Sequence, residues 1–303
     1  MAINEATGAY MGIIAALIGA LCSAAKEILS KQLSGKVDGT VSTFASFLYA
    51  LPYYFVVLLL CWACGWEDFH LAPGFFVWIV LRSLTDSFAE WFRMHAYAYG
   101  DLSVVVSLFS LYPIILLITS PLITGDALTV GGAVSVIITI IGTSIILYQP
   151  RNSKDPIHPK AILLSLAAAV FFSLNSCFDR LAVQTASPLV SGFTMTLLAG
   201  LFILPIMLRK AGRFSELKNH RKLFLQRGFF EIAFMTIKLY ALTMLQAPYV
   251  VGIQRISVLL SVISGRVLFK EEHFVRRMIG AVLVVVGVIS IVVQQLMLMH
   301  KPG

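Results

Sequence analysis

The sequence predicts an all-α integral membrane protein, ten transmembrane helices arranged as two inverted five-helix repeats. Three observations carry that prediction: an apolar composition, ten hydrophobic runs of spanning length, and an echo of charged residues between the two halves. The chain has 303 residues, of which 58% are hydrophobic and 13% charged. A soluble domain carries about 25% charged residues. Mean hydropathy is +0.87.

A bilayer core of about 30 Å takes about 20 apolar residues per helix. The runs fall at 8–30, 40–64, 75–98, 103–123, 127–148, 159–182, 189–209, 223–244, 248–269 and 275–297. The first is preceded only by Glu5 and lacks the basic flank of a cleavable leader, so it is expected to remain as helix 1. Its polar end carries Ser23, Lys26, Glu27, Ser30 and Lys31. The second holds Pro52, and the third holds LRSLTDSFAEWFR, with four charges. Pro113 lies in the fourth, and Gly131 and Gly132 open the fifth. The sixth has a polar end with Ser173, Asn175, Ser176, Asp179 and Arg180, and the seventh holds Pro205. The eighth is charged again, the ninth contains Gln254 and Arg255, and the tenth is apolar around Gly280 and Gly287. The longest interruptions, 148–159 and 210–222, leave no room for a soluble domain.

Basic residues set the expected orientation. Odd-numbered loops hold Lys31, Lys36, Arg151, Lys154, Arg213, Lys218, Lys270, Arg276 and Arg277 among others, whereas the even loops hold few. By the positive-inside rule the odd loops are cytoplasmic and both termini lie outside, with a bacterial inner membrane as the expected setting. The net charge of +8 comes from those loops and does not call for a nucleic-acid partner. Cys61 and Cys64 form a CWAC spacing at the end of an apolar run and read as small core residues. HExxH, GxGxxG, GKS/T and GxSxG signatures are missing, so neither an enzyme nor a cofactor or metal site is expected.

The informative feature is repetition. QRGFFEIAFMTIK lies 145 residues beyond the opening charged segment and sets Arg227 against Arg82, Glu231 against Asp86 and Lys238 against Arg93. The same offset pairs Asp126 with Glu271 and Gly142 with Gly287. The halves 1–149 and 150–303 thus hold five helices each. An odd number inverts the second copy in the membrane, a construction common among secondary transporters.

Ten helices in two halves, the segment ending Ser110-Leu111-Tyr112-Pro113, and the acidic turns Gly125-Asp126-Ala127-Leu128 and Lys270-Glu271-Glu272 resemble EamA-type members of the drug/metabolite transporter superfamily. The resemblance covers essentially the whole chain. It implies export of amino acids or metabolites, or exchange of nucleotide sugars or phosphorylated sugars.

At 100° per residue, Arg82, Asp86, Glu90, Arg93 and Tyr97 occupy one face about 80° wide. A charge at the bilayer centre costs at least about 2.5–3.5 kcal/mol, so this face is expected to look inward. Arg82 with Asp86, and Arg227 with Glu231, are spaced to pair along their own helices. Glu90 and Arg255 have no evident partner on their own helices and lack charged counterparts in the other half. The substrate-binding candidates are therefore Glu90, Arg255, Gln254, Ser110, Arg82, Arg227, Lys238 and Tyr97. Glu27, Asp86, Asp179 and Glu231 are candidates for coupling to a proton or counter-substrate, while Lys26 is expected to snorkel to the surface. Pro52, Pro113 and Pro205 are candidate hinges that interrupt their helices. The expected function is efflux of a small polar metabolite, such as an amino acid or similar zwitterion, by alternating access. A phosphorylated metabolite or other organic anion is the alternative, followed by a lipid-carrier flippase or a non-transporting assembly partner.

Overall fold

The computed structural model describes residues 2–65, 70–109, 111–125, 130–147, 158–209 and 213–299. Among them run fourteen helical segments: α1 (Ala2–Ser34), α2 (Gly39–Leu48), α3 (Leu51–Cys64), α4 (Phe75–Tyr99), α5 (Leu102–Phe109), α6 (Tyr112–Ile123), α7 (Val130–Leu147), α8 (Pro159–Thr185), α9 (Pro188–Leu208), α10 (Arg213–Asn219), α11 (Arg221–Met244), α12 (Ala247–Gln254), α13 (Ser257–Phe269) and α14 (Phe274–Met299). Five stretches are long and apolar enough to cross a membrane: α1, α2 with α3, α8, α9, and α12 with α13. The charged α4, with 25 residues, is about 37 Å long.

Three of the expected runs are broken in the middle. Pro52 and Pro113 sit at the first turns of α3 and α6, where a missing N–H costs nothing, so the preceding helix ends just before each. The third break has no proline. Arg255 N–H bonds the Gly252 carbonyl at 3.0 Å and Ile256 N–H the Ile253 carbonyl at 3.3 Å, a tightening that separates α12 from α13. Pro205 departs from expectation. It lies inside an unbroken α9, three residues before the helix ends, where losing one donor leaves most of the helical ladder intact. Ile203-Leu204-Pro205 in the second half resembles Ala50-Leu51-Pro52 in the first, yet its proline makes no break.

The helices interlock across the two halves of the sequence. α1 packs along α11, α4 along α8, and α7 along α14. Backbone contact between α7 and α14 needs glycine: a Cβ on Gly142 would lie 2.5 Å from the Gly280 carbonyl oxygen. Ser135 donates to Ser290 at 2.8 Å beside it. Gly228 on α11 likewise admits the α2–α3 break, since a Cβ there would meet the Tyr49 carbonyl oxygen at 2.5 Å.

Loop contacts divide the molecule into two ends. At one end Asp38 accepts from Thr40 N–H at 2.8 Å, capping α2, and faces Arg213 at 3.4 Å, while its own N–H bonds Glu216 at 3.1 Å. Burial pushes the Asp38 carboxyl up, but the Thr40 N–H and the Arg213 guanidinium more than offset it and hold it below the usual carboxylate value. Nearby, Arg277 Nη2 reaches Asp101 at 2.9 Å and Arg277 Nη1 reaches Glu271 at 2.7 Å. Glu271 in turn accepts from Leu102 N–H at 2.8 Å. At the other end Ala72 N–H bonds the Thr185 carbonyl at 2.7 Å, and Leu71 bridges Ala186. Odd loops thus meet odd loops, and even loops meet even.

Candidate functional site

A cavity in the middle of the bundle is lined by charged residues from α1, α4 and α11, by Arg255 at the α12–α13 break, by Asn175 and Phe172 of α8, and by Phe109 and Tyr112. It is tight. Space open to a water-sized centre is about 40 Å³, room for a few water molecules.

The lining carries two clusters of buried ion pairs. Arg82 pairs with Asp86 on its own helix at 2.6 Å and with Asp179 of α8 at 2.7 Å, and Lys238 reaches the other Asp179 oxygen at 2.6 Å. Arg93 donates to both Glu27 and Glu90, and the Tyr97 hydroxyl donates to Glu27. Arg227 lies 3.5 Å from Glu90 and donates through Nε to Ser30 at 2.8 Å. It also lies 3.2 Å from Glu231 Oε2, a charge contact without hydrogen-bond alignment. Lys26 bonds Glu231 at 2.9 Å and is 4.0 Å from Glu90. Such burial of charge is tolerable in a membrane because each ion finds partners inside the bundle.

Aromatic faces complete the walls. The Arg93 guanidinium lies 5.2 Å from the Phe172 ring centre and 5.7 Å from that of Phe109. Arg255 stacks on Tyr112 at 4.5 Å and donates to the Tyr112 hydroxyl at 3.0 Å. Lys26 sits 4.3 Å from the Phe234 ring.

Several sequence candidates thus meet in one place. Glu27, Arg82, Asp86, Glu90, Glu231, Lys238 and Arg255 line the cavity. Tyr97, Asp179 and Arg227 stand directly behind, bonded to lining residues. Gln254 is buried beside Arg255, its amide nitrogen close to Gly19, and neither polar atom of its side chain has a hydrogen-bond partner among the described residues. Ser110 lies outside the described residues. Of the hinge candidates, Pro113 starts α6 next to Tyr112, while Pro52 and Pro205 are on the outer surface.

Two expectations change. Lys26 does not snorkel: α1 continues to Ser34, which leaves Lys26 two turns inside and paired with Glu231. Glu90 does have a partner on its own helix, Arg93 at i+3, and it joins α4 to α11 as well. Arg93, Asn175 and the aromatic walls were not among the candidates. The repeat could have pointed to Arg93 as the counterpart of Lys238, but in a chain with 21 phenylalanines nothing singles out the rings.

The network also recurs with itself. Lys26 to Glu231 (α1 to α11) matches Asn175 to Asp86 at 2.7 Å (α8 to α4). Arg227 to Ser30 matches Arg82 to Asp179. Lys31 to the Tyr97 carbonyl at 2.9 Å matches Arg180 to the Leu242 carbonyl. In each match the α1 and α8 members are 149 apart and the α4 and α11 members 145 apart.

The sequence matches the EamA-like transporter family over residues 10–148 and 159–293. The chain belongs to that family. It is accordingly a multi-pass membrane transporter of the drug/metabolite type, and family members are transporters rather than enzymes. No curated protein matches it. Among solved structures, one crystal structure shares its fold with a TM-score of 0.64 at 16% identity, covering 97% of this chain and 99% of the other.

Proposed function

We propose that this transporter moves a small polar metabolite through the central cavity by alternating access, with groups of helices drawn from two inverted five-helix halves, 1–149 and 150–303, rocking about it. The observation that carries this reading is the ion-pair network itself. It is buried midway along the bundle, draws on both halves, and repeats its contacts at constant offsets as a pseudo-twofold arrangement requires. The tightness of the cavity supports a closed state, in which helices must separate before cargo can enter.

In this scheme the broken helices supply the play. The α12–α13 break carries Arg255 into the cavity, and the α5–α6 junction places Tyr112 against it. Arg277, tied to both Asp101 and Glu271, serves as a latch at the odd-loop end, which the basic loops assign to the cytoplasm. Its counterpart 145 residues earlier is Gly132, which carries no guanidinium. The test is flux: purified protein in proteoliposomes should show saturable uptake or counterflow of a polar metabolite from a broad panel, absent from protein-free vesicles. No flux for any cargo would contradict the proposal.

A further inference from the structure

We infer that the cargo is a small organic anion, a carboxylate or phosphate monoester carried on a flat apolar body, and not a zwitterion or an amine. This deepens the reading above and rests on the cavity being the cargo site.

Charge balance is the first ground. Among the described residues, the cavity and the side chains bonded to its walls bring together six buried cations, Lys26, Arg82, Arg93, Arg227, Lys238 and Arg255, and five buried carboxylates, Glu27, Asp86, Glu90, Asp179 and Glu231. With these groups ionised the site holds one surplus positive charge. Counting only the lining residues gives the same surplus, five cations against four carboxylates. An isolated surplus charge in a low-dielectric interior is unfavourable, and a ligand of charge −1 cancels it. A zwitterion leaves the surplus in place, and an amine doubles it.

The second ground is where bonding capacity remains. All ten carboxylate oxygens already face a cation or a neutral donor: Glu27 faces Arg93 and Tyr97, Asp86 faces Arg82 and Asn175, and Asp179 faces Arg82 and Lys238. Glu90 is held by Arg93 and Arg227, and Glu231 by Lys26 and Arg227. Of the ten, Glu231 Oε2 alone receives no hydrogen bond, and it lies 3.2 Å from the Arg227 guanidinium, so an ammonium docking there would sit beside a cation. Donors are left over too. Arg93 Nε and Arg227 Nη1 are buried with no hydrogen-bond acceptor, and the Gln254 amide is unengaged beside Arg255. Buried donors without acceptors are costly, and an anionic head group supplies acceptors.

Shape is the third ground. Phe109 and Phe172 flank Arg93 and Tyr112 lies under Arg255, so cationic groups and ring faces alternate around the same space. A flat apolar body attached to an acidic head satisfies both.

The experiment uses the full chain, in detergent for thermal shift and in proteoliposomes for flux, with a series matched in ring and differing in charge: 3-phenylpropionate, phenyl phosphate, phenylalanine and phenethylamine. The expected result is stabilisation and uptake by one or both anions, with phenylalanine and phenethylamine at least tenfold weaker. Preference between the two anions identifies the head group. Arg255→Gln should weaken anion binding at least tenfold and Arg255→Lys should restore part of it, with the unliganded unfolding midpoint reporting whether each variant is folded. Equal or tighter binding of phenylalanine or phenethylamine overturns the inference, as does a series in which neither anion shifts the midpoint. Anion binding without any flux upholds the anion preference of the site and rejects transport, whereas phenylalanine flux upholds transport and overturns the anion preference.

Discussion

Glu90 accepts from Arg93 on its own helix and lies 3.5 Å from Arg227 on α11, so it separates two guanidiniums that would otherwise repel. Removing one partner of a buried pair costs about 3–5 kcal/mol. Glu90→Gln is therefore expected to lower stability by about 3 kcal/mol in reversible unfolding in detergent and to abolish flux; an unchanged unfolding midpoint would show that Glu90 is dispensable to the network. Asp38 offers a milder case outside the membrane. Asp38→Ala, which removes the α2 cap, should cost about 1 kcal/mol. Because the Asp38 carboxyl is held below its usual value, its contribution is fully present above the unfolded pKa and is lost as pH falls through the lower folded one. The difference between wild type and Asp38→Ala should thus be constant near neutrality and shrink only in acid. Residue-scale chemistry was partly legible in the sequence. The pairs Arg82–Asp86 and Arg227–Glu231 follow from i,i+4 spacing. The partners that matter most to Glu90, Lys26 and Asp179 come from other helices, and spacing along one chain segment carries no information about them.

At the scale of elements, the spans of α1, α4, α8, α9 and α11 follow from hydrophobic run length, and the α3 and α6 starts follow from proline. The break between α12 and α13 was not legible, because it is made by a local tightening of the backbone around Arg255, with no proline where the chain breaks to announce it. Pro205 was misread for the opposite reason, a helix breaker placed where few hydrogen bonds remain to be broken. Gly228 shows how one element fixes another. Gly228→Ala puts a methyl 2.5 Å from the Tyr49 carbonyl oxygen, and overpacking against backbone costs about 1–3 kcal/mol. The expected outcome is a lower unfolding midpoint with flux reduced in proportion; a wild-type midpoint would mean that the α2–α3 break can shift freely. The latch makes a separate prediction. Arg277→Gln removes both the Asp101 and Glu271 contacts, so a cysteine replacing the buried Leu102 should react faster with a membrane-impermeant thiol reagent at the odd-loop end, in a background where the four native cysteines are replaced.

For the molecule as a whole, the two halves are not separate bodies laid side by side. α1 of the first half packs on α11 of the second and α4 on α8, so the charged cluster ties each half to the other and cannot rearrange in one without the other. That coupling fits the proposed alternating access, in which the odd-loop and even-loop ends share one central element and open in turn. The sequence carried the repeat through Arg82, Asp86 and Arg93 and their echoes, but the interlocking follows from packing that no single segment encodes. Paired distance measurements test the account most directly. Spin labels at Lys36 and Glu272 report the odd-loop end, and labels at Leu71 and Met244 the even-loop end, all four positions being exposed. In lipid nanodiscs, adding a metabolite that the flux assay shows to be carried should shift the two distance distributions in opposite directions, one end closing as the other opens. Distances that stay fixed at both ends while flux proceeds, or that widen together, would contradict it.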